Sequence, residues 1–195
     1  MLSWSGILIT SIFFESYQVA LFSIAARLSL ISTIALEAVN LVVAPLFSDA
    51  FKTTRINELR KISLVSVKFL LIASTPILII FLIFANEILL LFGAEYTEAS
   101  NLLRILAVGQ FFNVITGSVG FLLIMTDCEE KVKKVNVICT ILTIIVSVIF
   151  AKVFGLYGVA VGCALGLTCQ NIFLVIMVKQ QLGFNTINIF EKITK

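Results

Sequence analysis

Long apolar runs alternate along this chain with short polar loops, and each run has the length of a membrane crossing. The runs 62–84, 102–126, 135–151 and 157–178 each fit one crossing, and 19–47 is longer than one needs. At ~1.5 Å rise per residue, about 20 residues cross a hydrocarbon core of roughly 30 Å. Water is absent at that depth, so each segment must pair its own backbone groups, and helix is the expected state. Residues 1–14 are apolar but lack a basic leading region and a small-residue cleavage site. They read as the end of a further span, not as a signal peptide. The expectation is an all-α, polytopic transmembrane helical bundle of about six spans, near 1–14, 19–47, 62–84, 102–126, 135–151 and 157–178, in one unit over 1–195.

Charge gives the bundle a direction. The loop 49–61 carries Lys52, Arg55, Arg60 and Lys61, and the loop 127–134 carries Lys131, Lys133 and Lys134. Lys179, Lys192 and Lys195 follow the last run. The alternate connections differ: 15–18 has no basic residue, and 85–100 has Glu87, Glu95 and Glu98 without Lys or Arg. Only Lys152 breaks the alternation. Basic loops stay on the cytoplasmic side, so these loops and the C-terminus are expected there. After Pro45, Phe51, Ile56, Leu59 and Ile62 lie among the charges, the pattern of a membrane-surface helix linking two spans, with an anionic-lipid contact through Lys52, Arg55, Arg60 and Lys61 as the less specific alternative. The apolar stretch 88–93 is too short to span and reads as a helix end or interfacial turn stopped by Gly93.

Composition narrows the chemistry. Hydrophobic residues make up 60%, charged residues 13%, and mean hydropathy is +1.13, far from a soluble domain. Histidine is absent, which removes the commonest metal ligand and general base. Cys139, Cys163 and Cys169 lie in apolar runs, only Cys128 lies in a loop, and no CxxC spacing occurs. Neither a metal site nor a disulfide framework is indicated. Without a long extracytoplasmic loop or a His/acid constellation, an enzyme is not expected. No cofactor, metal or nucleic-acid partner is expected either.

Gly158, Gly162 and Gly166 recur every four residues, one face of a helix where a second backbone can approach closely. Gly109, Gly117 and Gly120 form a less regular surface of the same kind. Pro45 and Pro76 each remove a backbone donor and can kink a span.

The polar residues inside the runs are few. Arg27 and Glu37 lie in 19–47, and Arg104 lies near the start of 102–126. A mid-helix charge costs about 2.5–3.5 kcal/mol on insertion scales, so such residues face an interface, a partner or a cavity. Arg27 and Arg104 either snorkel to the outer interface or line a polar vestibule that attracts an anion. Glu37 is nearer the midplane; it either pairs with an arginine or forms, with Asn40 three residues on, an ion-coupling site. Gln110, Asn113 and Thr116 follow at spacings of three, suited to a water-filled cavity or to interhelical hydrogen bonds. Lys68, near the cytoplasmic end of its run, is expected to snorkel.

Three stretches carry a family resemblance. They are 19–28 (VALFSIAARL) with 37–40 (EAVN) and 44–47 (APLF); 91–96 (LFGAEY) with 103–117 (LRILAVGQFFNVITG) and 120–126 (GFLLIMT); and 154–162 (FGLYGVAVG). Together they resemble the C-terminal half of polysaccharide flippases in the multidrug/oligosaccharidyl-lipid/polysaccharide exporter superfamily, nearest to O-antigen and capsule repeat-unit flippases. The resemblance implies half of a two-bundle transporter in a bacterial inner membrane. Its cargo would be a lipid-linked oligosaccharide, an undecaprenyl-diphosphate repeat unit, moved by alternating access for surface polysaccharide biosynthesis. Arg27 and Arg104 then become candidates for the diphosphate or acidic sugars, and Gln110 and Asn113 for sugar contacts. Such families usually carry twelve or more spans. With room for six, this chain is expected to be a fragment working with a missing N-terminal half or a second copy, surrounded by membrane lipids. A lipid II flippase and a drug/cation antiporter of the same superfamily are the alternatives, and a non-transporting structural membrane subunit is a different class.

Overall fold

Among the described residues, eight helices carry the chain back and forth. They are α1 (Leu2–Phe13), α2 (Ser16–Ser29), α3 (Ile34–Lys52), α4 (Ile56–Ile83), α5 (Ala85–Leu90), α6 (Ser100–Ile115), α7 (Val119–Met125) and α8 (Glu129–Leu182). Short 3-10 helices, Leu30–Thr33 and Ala94–Ala99, join α2 to α3 and lead into α6. The computed structural model describes residues 2–184 and Thr186; the tail charges Lys192 and Lys195 lie outside the described residues. No strand occurs among the described residues. The helical stretches Ser16–Lys52, Ile56–Ile83, Ala94–Met125 and Glu129–Leu182 are long and apolar enough to cross a membrane. The protein is an all-α, polytopic membrane bundle.

The longest helix is really a hairpin. A straight helix of 54 residues would run ~80 Å, far beyond one bilayer. Gly155, at φ 60° and ψ −140°, turns α8 back on itself, a conformation open only to glycine. The two arms then run antiparallel. Lys131 Nζ donates to Gln181 Oε1 at 2.6 Å, and Gln170 Nε2 donates to Asn136 Oδ1 at 2.7 Å. Nearer the bend, a Cβ on Gly162 would lie 2.7 Å from Ser147 Cα. One on Gly166 would collide with Thr143, and one on Gly158 with the Phe150 carbonyl. The small-residue face is thus the seam of the hairpin.

Two apolar runs that read as continuous are interrupted. The run 19–47 tightens into the 3-10 helix Leu30–Thr33, and 102–126 breaks at Gly117, whose φ is 75°. The expected membrane-surface helix after Pro45 does not form. α3 continues to Lys52, Thr54 turns at φ 55°, and α4 begins at Ile56. The reason is burial: Ala50 and Leu59 are in the core and Phe51 and Ile62 pack half-buried against it, while Ile56 stays exposed. Arg55 holds the turn, its guanidinium 3.0 Å from Glu58 and 3.7 Å from Asp49. At the opposite end, the apolar stretch after Ala85 forms the short helix α5 and ends at Gly93.

The core falls into layers. One apolar cluster gathers Phe22, Leu28, Leu89, Leu103 and Val159. Another gathers Phe47, Leu59, Leu122, Leu174 and Val178. Leu36, Leu70 and Val114 form a small third cluster from α3, α4 and α6. α6 packs on α8, α4 and α2, while α1 also lies on α8.

Candidate functional site

Arg27 sits in the last turn of α2, just before the 3-10 break, and its side chain is exposed. It lines a cavity of about 110 Å³ together with Gln110 of α6. Trp4, Phe22, Leu106 and Cys163 supply much of the rest of the wall. Close approaches set that wall. A Cβ on Gly6 would lie 2.8 Å from Phe22 Cζ and 2.9 Å from Cys163 Sγ, so α1 lies tight against both α2 and α8. A Cβ on Gly109 would lie 2.8 Å from Ala164 Cβ, which draws α6 onto the second arm of α8. Among the described residues, no hydrogen bond or ion pair engages the Arg27 guanidinium. The guanidinium therefore stands beside a cavity whose remaining walls are mostly apolar.

Gln110 connects that cavity to a chain of amides. Asn113 Nδ2 donates to Gln110 Oε1 at 3.4 Å, and Asn171 Nδ2 donates to Asn113 Oδ1 at 3.0 Å. Thr116 Oγ1 reaches Asn171 Oδ1 at 3.1 Å and the Asn113 carbonyl at 2.7 Å. The stripe on α6 thus makes interhelical hydrogen bonds to α8 below the cavity, and Gln110 alone of the three lines it. Asn113 holds Gln110 in place from behind.

The other charged candidates lie elsewhere. Arg104 Nε donates to the Leu82 carbonyl at 3.0 Å, and its Nη1 donates to Asn101 Oδ1 at 3.0 Å. Leu82 is in the final turn of α4, where carbonyls lack intrahelical partners, so Arg104 caps that helix. It does not line the Arg27 cavity. Glu37 is exposed whereas Asn40, one turn further along α3, is 7% exposed. Asn40 Oδ1 is buried without a hydrogen-bond partner among the described residues. No cluster of three or more His, Cys, Asp or Glu suited to a metal occurs among the described residues.

Sequence reasoning missed Trp4, Cys163 and Asn171. Asn171 had a legible signal, an amide inside an apolar run at the same depth as the α6 stripe. Trp4 and Cys163 had none, because apolar wall residues look like any other core residue.

A bundle of membrane-crossing helices thus holds Arg27, without a hydrogen bond or ion pair among the described residues, at an open cavity between α1, α2, α6 and α8. The chain belongs to the MatE family, whose sequence profile matches residues 1–151. This is a family of membrane transporters and not of enzymes. The chain is similar to the probable low-salt glycan biosynthesis flippase Agl15 of the archaeon Haloferax volcanii, with 26% identity over 171 residues. That alignment covers 87% of this chain and 36% of the relative, so the chain spans about a third of the length of that protein. No solved structure matches the chain significantly.

Proposed function

We propose that this chain forms one helical bundle of a carrier that moves a lipid-linked glycan across a membrane. The observation that carries the reading is the unpaired Arg27 facing a cavity inside the bundle. An arginine at the centre of a crossing helix costs about 2.5–3.5 kcal/mol, a cost that water or an anion relieves. A diphosphate suits it well, because the guanidinium fork binds two phosphate oxygens in parallel. Gln110 adds a neutral amide beside it, suited to a sugar hydroxyl. The named relative is a glycan biosynthesis flippase, which supports the same cargo class.

The physical task is to take a hydrophilic head through hydrocarbon while its prenyl tail stays in lipid. A cavity that opens first to one side and then to the other does this, with two bundles rocking about a fixed site. The second bundle comes from another segment of the protein or from a second copy. In this reading the cargo is a polyprenyl-diphosphate repeat unit used for surface polysaccharide. The membrane is the bacterial inner membrane, with the basic loops and the C-terminus cytoplasmic. A drug/cation antiporter fits less well, since Arg27 repels cations and the exposed Glu37 is not part of the cavity wall. The test is Arg27→Ala in the producing cell, at equal protein level. Loss of surface glycan is expected, and normal glycan would refute the reading.

A further inference from the structure

We propose that Trp4 is the platform on which a sugar ring of the cargo stacks inside the Arg27 cavity. The inference rests on the reading of that cavity as a glycan-phosphate site. Trp4 is the single tryptophan of the chain, it is 67% exposed, and it lines the same cavity as Arg27 and Gln110.

Its surroundings are what make it unusual. Tryptophan in membrane proteins collects at the two water interfaces, where the indole N–H can reach water. Here α1 and α2 meet at the bend between Phe13 and Ser16 and run antiparallel from it, with Gly6 against Phe22. Trp4 lies near the far end of α1 from that bend, ~14 Å down the helix. Arg27 lies a similar distance along α2 from the same bend, so the two residues stand at about the same level of the bundle. No hydrogen bond engages the Trp4 indole among the described residues. Away from water, an indole N–H left unsatisfied is costly.

A sugar resolves both halves of the problem. The broad indole face is electron-rich. A pyranose offers it a face of C–H groups polarised by neighbouring oxygens, while a hydroxyl of an adjoining sugar, in the plane of the indole, can accept from the N–H. The cavity, about 110 Å³, suits one such ring, since ~10–15 Å³ of the same measure holds one water. A sugar bound to a phosphate held by Arg27 is necessarily adjacent to that phosphate, and Trp4 lines the same cavity. Arg27 thus selects the carrier phosphate, and Trp4 distinguishes a carrier that bears a sugar from one that does not.

Because the sequence holds one tryptophan, intrinsic emission reports Trp4 alone. The chain in lipid nanodiscs is titrated with polyprenyl-diphosphate N-acetylglucosamine and, separately, with unglycosylated polyprenyl diphosphate. Both are expected to bind, and only the glycosylated lipid is expected to change the emission. By an independent binding assay, Trp4→Ala should weaken the glycosylated lipid roughly tenfold and leave the bare diphosphate unchanged, while Trp4→Tyr keeps most of the preference. If Trp4→Ala binds both lipids as the parent does, or loses both equally, the stacking role is overturned and the glycan-carrier reading stands. If the parent chain binds neither lipid, the carrier reading fails and the stacking role falls with it.

Discussion

Substituting Gly162 by alanine tests the hairpin on which the cavity wall depends. The added Cβ would lie 2.7 Å from Ser147 Cα, a backbone atom that no rotamer change can move aside. Ordinary contact begins near 3.4 Å, so the arms must part by about 0.7 Å at that level. Overpacking of this kind costs ~1–3 kcal/mol, or roughly 5- to 150-fold in the equilibrium between packed and separated arms. The control is Gly120→Ala, whose added Cβ would meet only Leu174 Cδ1 at 3.9 Å. Helix propensity alone favours both changes by up to ~1 kcal/mol. The assay is reversible unfolding of the purified chain in mixed micelles, followed by helical circular dichroism. Gly162→Ala is expected to unfold at lower denaturant and Gly120→Ala at equal or higher denaturant. Equal stability of the two variants would refute the close-packed seam.

Three further outcomes follow from the same geometry. Asn171→Leu removes the partner of both Asn113 and Thr116; at ~0.6 kcal/mol for an average interhelical bond, a loss near 1–2 kcal/mol is expected in the same unfolding assay. Arg104→Ala removes one carbonyl cap from α4 and should cost no more than about 1 kcal/mol, with surface glycan retained at equal protein level; loss of glycan would place Arg104 in the transport path. Gly117→Ala forces a side chain onto φ 75° and against Val67 Cγ2 at 2.7 Å, so a destabilisation of about 1–3 kcal/mol is expected in a thermal melt.

The sequence made the apolar runs legible because a bilayer imposes a length on every crossing, and length survives without knowledge of packing. The loop charges were equally plain. The breaks at Leu30–Thr33 and Gly117 were not, since a 3-10 turn and a left-handed glycine change no hydropathy. The loop after Pro45 misled for a related reason. Phe51, Leu59 and the charges around them have an amphipathic pattern, and only the burial of Ala50 and Leu59 in the bundle separates a helix end from a surface helix. The same ambiguity holds for the polar residues. Arg27 and Arg104 are alike in sequence, yet one faces a cavity and the other caps a neighbouring helix. Asn40 and Glu37 share a helix, yet one is buried and the other exposed. Tertiary contact decides these cases, and spacing along one helix does not encode it.

Once the contacts are known, the parts form one physical account. Gly6 and Gly109 bring α1, α2, α6 and α8 close enough to enclose a small space. Within it, Arg27 supplies charge and Gln110 a fixed amide, the latter held by Asn113 and Asn171. The apolar remainder of the wall strengthens the field of that charge, because low dielectric does little to screen it.

The most direct measurement is equilibrium binding of unglycosylated polyprenyl diphosphate to the chain in nanodiscs, for the parent, Arg27→Ala and Arg104→Ala. The account predicts saturable binding that Arg27→Ala weakens by about tenfold or more and Arg104→Ala leaves unchanged. Equal binding by Arg27→Ala and the parent would contradict it.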